Sequence, residues 1–586
     1  MLDLAEIPFF APLSAASLAR LRNQIPTHHY EQGSIIARVG EPGQYFQAIA
    51  SGAVRVLADA DAPGGWRGFV LGPGQVFGEM SLFTGMPVAA TLVAARDTVT
   101  YRLEGDDFLA LLDVEPQLHH SLTRLLIERL RYRTRNDARL PGIAVIVSLA
   151  GHIDPAAFAR RLFPGVLHYA PGSRLLGLDE HGQVSPEPFD LQRLERWRDT
   201  AAAEQYLVAV VTPGNLHAIA SELLPEDVVL ELFEHDSDRD ETVTARRRAG
   251  AAAYSRVFID ERPRGEHSRW SFCVPRGELE RATGEPHAWQ REDYPRLDHV
   301  ARYVTFSEVG VALSSGAARG FAHVGVLEAL EAEGIPVDFV CGTSMGGIVA
   351  LTMGASSSAA EGGRKVREFL GGNRKIRDIA WWPRTSLFSG AKVERAARRV
   401  FDDVTFADLR LPTAIVASDL ISADRAVVDS GPVLPAVLGT SAIPGFFPPM
   451  PAGDRMMVDG AIVSRVPVDV LDRRRCGVRI AVNVVAVPAT DLAYHEYRRQ
   501  RLHSRLGRLF GFRSVLGASW ELLGSYGSSL EALRADLVIT PETYRCGGVF
   551  DFDRYEAMIA CGREATLARI DAVRGTVLAM LEGGRR

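Results

Sequence analysis

VGVALSSGAARGFAHVGVLEALEAEGIPVDFVCGTSMGGIVALTMG, residues Val309 to Gly354, decides the reading of this chain. It reads as strand, glycine-containing turn, helix, strand, sharp turn and helix. Val337–Cys341 is a short, mostly apolar run behind Gly334 and Pro336, and a helical pattern opens at Met345. Gly342-x-Ser344-x-Gly346 therefore sits at a strand-to-helix turn, the context a nucleophile elbow needs. Small residues on both sides permit the tight turn, and the helix that starts there contributes free N–H groups and a positive dipole end. Ser344 is the candidate nucleophile. The earlier turn, Ser314 to Gly320, is the candidate oxyanion hole, with backbone N–H groups of Gly316 and Ala317 aimed at a developing negative oxygen; each such donor contributes on the order of 3 kcal/mol. Phe321, Val324, Leu327 and Leu330 then recur at helical spacing, with Gly334 as a C-terminal stop. Arg319 either fixes the turn, attracts a phosphate or forms a surface salt bridge. His323 lies inside the helical pattern and reads as a packed histidine.

A nucleophilic serine needs a base. Downstream of Ser344 the histidines are His495 and His503, both in an arginine-rich stretch rather than after a strand. Met456-Met-Val-Asp-Gly-Ala-Ile-Val463 offers a better group, because a strand-like apolar run presents Asp459 directly before Gly460. Desolvation would raise the basicity of that carboxylate, and a glycine beside it permits close approach. Asp-Gly is also an ordinary turn pair.

Together these motifs resemble the patatin-like phospholipase family over about Val304 to Cys561. The resemblance rests on the SSGAARGFAHVGVL turn and helix, the GTSMGG elbow, Thr440-Ser-Ala-Ile-Pro-Gly-Phe-Phe-Pro-Pro449 and Val458-Asp-Gly-Ala-Ile-Val-Ser-Arg-Val-Pro467. It implies a Ser–Asp dyad without histidine: Ser344 as nucleophile, Asp459 as proton acceptor, Gly316 and Ala317 in the oxyanion hole, and Arg319, Gly320, Gly342, Gly346 and Gly460 as supporting motif residues. No metal or cofactor is implied. The family shows a run of glycines where this chain has Ser314, Ser315 and Ala317, and a second glycine after the aspartate where it has Ala461.

The length of 586 residues exceeds one typical core. With 47% hydrophobic and 24% charged residues the composition is that of a soluble globular protein, and a net charge of -6 argues against a general nucleic-acid binder. Five cysteines without CxxC spacing indicate neither a disulfide framework nor a zinc site, which fits a cytoplasmic location. The start, MLDLAEIPFFAPLS, lacks the features of a signal peptide, and no uncharged apolar stretch of about twenty residues occurs, so membrane contact is expected to be peripheral, at the inner surface. Trp381-Trp-Pro-Arg384 and the basic stretch His495–Arg513 are the candidate contacts.

Residues 1–136 read as a β-roll followed by a helix, Pro116–Arg133. Gly74-Gln-Val-Phe-Gly-Glu-Met-Ser-Leu-Phe-Thr-Gly-Met-Pro-Val-Ala-Ala-Thr-Leu92 resembles the phosphate-binding cassette of cyclic nucleotide-binding domains, and Gly40–Leu57 the same family's early hairpin. The resemblance implies a nucleotide site at Gly78, Glu79, Ala89, Ala90 and Thr91. Val88, however, occupies the position of the arginine that neutralises the cyclic phosphate. Without that charge-assisted pair, affinity falls by about 1.5–3 kcal/mol, roughly tenfold to a hundredfold, so cyclic AMP binding is expected to be weak or absent. Glu79 also suits a helix start with no ligand. Asn136–Pro141 reads as a linker into an α/β spacer over 137–302, where no GxxxxGK[ST] or GxGxxG occurs. That spacer resembles the segment between regulatory and catalytic domains in neuropathy target esterase-like proteins.

The expected architecture is thus α/β: a cyclic nucleotide-binding-like β-roll (1–136), a small α/β spacer (137–302) and a three-layer patatin-like domain (303–586). The resemblance of the whole chain to bacterial relatives of neuropathy target esterase implies a serine hydrolase acting on phospholipids or lysophospholipids. Two other readings are a catalytically inactive ligand-sensing scaffold and a histidine-dependent soluble carboxylesterase.

Overall fold

The computed structural model describes residues 2–57, 70–84, 87–88, 90–115, 117–119, 121–122, 142–148, 153–179, 181, 183–185, 190, 194, 197, 201, 205–220, 223, 227–233, 253–260, 271–282, 293–370, 386, 388–486 and 527–581. The chain forms two compact units, one of 1–147, 172–229 and 243–253, the other of 148–171, 230–242 and 254–586. The sequence between 137 and 302 is shared between them.

The first unit opens with a β-roll of two four-stranded sheets. One runs in the order Thr27–Tyr30, Thr98–Glu104, Tyr45–Ser51, Val76–Phe77, and the other in the order Ile35–Ala37, Thr91–Ala94, Val54–Leu57, Val70–Leu71. Neighbours are antiparallel throughout, and Thr91–Ala94 alternates half-buried with buried residues as a strand with one face on a core must. The turn at Gly52 needs its positive φ of 92°, and a Cβ there would lie 2.4 Å from the Asp97 carbonyl oxygen. Phe9, Phe10, Phe46 and Phe108 fill one core, with Phe46 stacked on Phe108 at 4.2 Å. The same unit holds three parallel strands, Arg174–Leu176, Tyr206–Val210 and Gly142–Val147, of which the last two are buried along their whole length. The expected helix Pro116–Arg133 and the linker lie largely outside the described residues.

The second unit is built on an eight-stranded sheet in the order Met450–Ala452, Arg455–Asp459, Thr413–Asp419, Phe339–Thr343, Val309–Leu313, Val478–Val482, Leu537–Ile539, with Asp424–Val428 also paired to Thr413–Asp419. The central pairs are parallel, and the pairs involving Asp424–Val428, Arg455–Asp459 and Met450–Ala452 are antiparallel. The central strands are apolar runs because both faces are covered. Helix Met345–Gly354 is buried on every side, so it has no polar face. Two sequence readings shift locally. The end of the expected oxyanion turn is a 3-10 helix, Ala317–Phe321, which runs into the expected helix as the α-helix Ala322–Ala332. The run Met456–Val463 is strand only to Asp459, because the Asp459 side chain accepts from the Ala461 N–H and turns the chain into a 3-10 helix, Gly460–Ile462.

Ala322–Ala332 crosses Tyr555–Leu567 through paired glycines. A Cβ on Gly325 would lie 1.9 Å from the Ile559 oxygen, and one on Gly562 would lie 1.9 Å from the Ala322 oxygen. Both obstacles are backbone, so neither can swing aside. Gly325→Ala is expected to destabilise the protein by about 1–3 kcal/mol through overpacking, despite alanine's better helix propensity. Denaturant unfolding of the two proteins side by side measures it.

Candidate active site

Strand register brings the candidate nucleophile and base together. Thr343 lies opposite Val416 in a parallel pair, and Ala417 lies opposite Asp459 in an antiparallel pair. Strands spaced about 4.8 Å apart therefore place Ser344 and Asp459 on either side of one intervening strand. Ser344 Oγ donates to Asp459 Oδ2 at 2.6 Å. Both side chains are buried, and both stand at the carboxyl end of the parallel strands, where open α/β sheets bind ligands.

Each partner is held from several directions. Ser344 has φ 56° and ψ -121°, a strained conformation for a non-glycine residue, as an elbow requires. Gly342 and Gly346 make that turn possible: a Cβ on Gly342 would meet Gly346 at 2.3 Å, and one on Gly346 would meet the Leu313 oxygen at 2.4 Å. The Ser344 N–H donates to Thr440 Oγ1 at 2.9 Å, and that hydroxyl donates to the Val416 carbonyl at 2.6 Å. Asp459 Oδ1 accepts from the Ala461 N–H at 2.8 Å, and the Asp459 carbonyl accepts from Ser418 Oγ at 3.0 Å. Gly460 passes beneath Val416, whose oxygen would lie 2.2 Å from a Cβ there. Burial pushes the Asp459 carboxyl up to about 6, while the bonds from Ser344 and Ala461 and the charge of Arg465 pull it down. At neutral pH it is an ionised carboxylate more basic than usual, in direct contact with a hydroxyl proton.

The turn expected to hold the oxyanion lies against the elbow. Gly320 is so close to Met345, the residue after Ser344, that a Cβ would lie 2.3 Å from its Cγ. Ser314, Ser315 and Ala318 spend their N–H groups on the carbonyls of Val482, Arg465 and Val549, whereas those of Gly316 and Ala317 carry no hydrogen bond among the described residues. A Cβ on Gly316 would collide with Val484 at 2.5 Å. Ala317, standing where the family shows glycine, has φ 46°, a left-handed conformation that costs an alanine about 1–2 kcal/mol. The Ser314 hydroxyl is absorbed by accepting from the Val484 N–H at 3.0 Å. Arg319 is buried rather than part of a surface salt bridge, and its Nε donates to the Gly547 carbonyl. His323 is fully buried, its Nε2 donates to the Ser314 carbonyl at 2.8 Å, and burial pushes it down to about 4, so the ring is neutral.

Thr440 is the residue whose role sequence reasoning missed. It opens a quoted motif, but only the fold shows that its hydroxyl ties the elbow N–H to the neighbouring strand. Trp381, Trp382, His495, His503 and the basic stretch to Arg513 lie outside the described residues.

In the first unit, Gly78 has φ 91° and would place a Cβ 2.0 Å from the Tyr45 oxygen. Glu79 is fully buried at the start of helix Glu79–Thr84. Ala90 is buried, and Thr91 Oγ1 accepts from the Val39 N–H at 3.2 Å. Ala89 is outside the described residues. Val88 is fixed by its backbone, donating to Glu41 and accepting from Gly40, both at 2.8 Å.

The family model for patatin-like phospholipase matches residues 311–472, the stretch that contains both Ser344 and Asp459. The chain carries a patatin-like phospholipase domain. The model for cyclic nucleotide-binding domain matches residues 27–115 ahead of it. An uncharacterized NTE family protein of Mycobacterium tuberculosis is 24% identical over 604 residues, 97% of this chain and 96% of that protein. Neuropathy target esterase sws of Drosophila melanogaster is 24% identical over 79% of this chain, which spans 36% of it. Human patatin-like phospholipase domain-containing protein 6 is 31% identical over 209 residues, 35% of this chain and 15% of its own. Among solved structures, the catabolite activator protein of Thermus thermophilus is 30% identical over 28% of this chain and 69% of its own, with a TM-score of 0.20. The two family models match in the order cyclic nucleotide-binding domain, then patatin-like phospholipase, and the NTE-family relatives support lipid-hydrolase activity in general.

Two predictions follow from these geometries. Because the native Asp459 carboxyl is raised from 3.8 to about 6, it favours folding fully below about pH 4 and loses that contribution as pH rises through 6. Relative to Asp459→Asn, wild type should lose on the order of 3 kcal/mol of unfolding free energy between about pH 4 and pH 8, read by urea titration. In the first unit, Val88→Arg should raise cyclic AMP affinity by about tenfold to a hundredfold, with calorimetry as the measurement.

Proposed function

We propose that the chain is a serine lipid acyl hydrolase that cleaves fatty-acyl ester bonds of phospholipids or lysophospholipids through a Ser344–Asp459 dyad. The observation that carries the reading is the 2.6 Å bond from Ser344 Oγ to the buried Asp459 carboxylate. Asp459 takes the hydroxyl proton as Ser344 attacks the acyl carbonyl, and returns it to the departing alcohol. The N–H groups of Gly316 and Ala317 receive the oxyanion, and the positive end of helix Met345–Gly354 adds to the same field. Asp459 then takes a proton from water as the water oxygen attacks the acyl-enzyme, and passes it to Ser344 Oγ as the bond to the acyl group breaks and the fatty acid leaves. The relatives named neuropathy target esterase and patatin-like phospholipase support an ester-bearing lipid as substrate.

The domains of this reading are a regulatory 1–136, a spacer 137–302 and a catalytic 303–586, working at the cytoplasmic face of the inner membrane as a peripheral protein. Among the described residues no helix is long and apolar enough to cross a membrane. The first domain senses a ligand that does not depend on an arginine at Val88.

A fluorophosphonate probe tests the nucleophile, and Ser344→Ala should abolish labelling. Turnover of mixed phospholipids and lysophospholipids should fall by about 10²- to 10⁴-fold in Asp459→Asn. The wild-type kcat/KM should drop below about pH 6 as Asp459 becomes protonated. A carboxylate base predicts near-normal rates in His495→Ala with His503→Ala, and lost turnover there would overturn the dyad.

A further inference from the structure

The segment that follows Asp459 does more than carry the base. Ser464 and Val463 donate back to the Gly460 carbonyl, and the Arg465 carbonyl accepts the Ser315 N–H at 2.8 Å. One short stretch of backbone, 459–465, therefore joins the carboxylate to the turn that holds Gly316 and Ala317. Its far end is fastened by a single carboxylate oxygen from a distant part of the chain. Glu531 Oε2 accepts from Ser464 Oγ at 3.2 Å, from the Arg465 N–H at 2.8 Å and from the Val466 N–H at 2.6 Å. Three donors converge on one oxygen of a half-buried carboxylate whose pKa burial raises, while those same three bonds pull it down.

Resting on the ester-hydrolase reading, we propose that Glu531 is a positioning residue for that reaction: it holds the 464–466 loop so that base and oxyanion turn keep their relative placement. Glu531 touches no reacting atom. Its neighbours strengthen the inference. The Arg465 side chain lies within electrostatic reach of both Glu531 and Asp459, so the two carboxylates share one cation. Asp469 also acts on Glu531, and it is itself paired with Arg425 at 2.5 Å. Facing Asp459 are Ser344, the Ala461 N–H and Arg465. Neutralising Glu531 leaves more of the Arg465 charge to act on Asp459, which favours the ionised base.

The test compares wild type, Glu531→Ala and Glu531→Gln in the full chain on a soluble short-chain aryl ester, with thermal unfolding run on each. Glu531→Ala, which removes all three acceptor contacts, should lower kcat at least about tenfold with KM little changed, as loss of alignment does. Glu531→Gln keeps an amide oxygen for the loop and should recover most of kcat, while its acid limb moves to lower pH than the wild type's. Wild-type kcat and fluorophosphonate labelling rate in folded Glu531→Ala would overturn the inference. Should Glu531→Ala fail to fold, Glu531→Asp, whose shorter side chain draws the carboxylate back from the three donors, decides instead, and wild-type kcat in that variant overturns the inference. If wild type itself is not labelled, the hydrolase reading has failed; if wild type is labelled and Glu531→Ala is labelled equally fast, only the role of Glu531 has failed.

Discussion

The site depends on keeping an ionisable carboxylate dry while it stays in contact with a serine hydroxyl. An isolated buried carboxylate is costly, and the protein lowers that cost only in part. Asp459 receives two hydrogen bonds on its side chain, from Ser344 and from the Ala461 N–H, and a cation nearby, and burial still dominates. A better-solvated aspartate would be easier to fold around and a poorer base. The remaining scaffold is arranged to tolerate this residue. The Asp459 N–H donates to Ala442, its carbonyl accepts from Ser418, and the antiparallel register to Thr413–Asp419 leaves it no freedom to turn towards solvent.

Close approach is the second constraint, and it explains where the chain uses glycine and where it does without. Gly342, Gly346 and Gly460 stand where a Cβ would strike backbone, which cannot yield. Ser314 stands where its extra atoms find a use, as an acceptor for the Val484 N–H. Ala317 is the costlier replacement, because its left-handed φ is maintained against its own side chain by the turn around it. His323 and Arg319 support that turn from inside the protein, bonded to the carbonyls of Ser314 and Gly547.

The first unit keeps the roll and the Gly78–Glu79 turn of a cyclic nucleotide-binding domain and changes one charge. Val88 is fixed through backbone bonds that any residue at that position would make, so arginine at this position is not needed for folding.

Local rules made much of this legible in advance. A strand-to-helix turn with glycine on both sides of Ser344, an Asp-Gly after an apolar run, and the Gly74–Leu92 and Gly40–Leu57 patterns of the N-terminal region were each readable from neighbouring residues. They marked Ser344 and Asp459 as candidates, 115 positions apart, and anticipated the β-roll and the α/β catalytic domain. What local rules do not contain is register. Only the pairing of Thr343 with Val416 and of Ala417 with Asp459 brings the two side chains to 2.6 Å. The same holds for Thr440 under the elbow and Glu531 behind the loop, whose partners lie 96 and 65 to 67 residues away in sequence. A hydroxyl or carboxylate becomes specific only when packing has chosen its donors, and that choice is made by the sheet and not by the residues beside it.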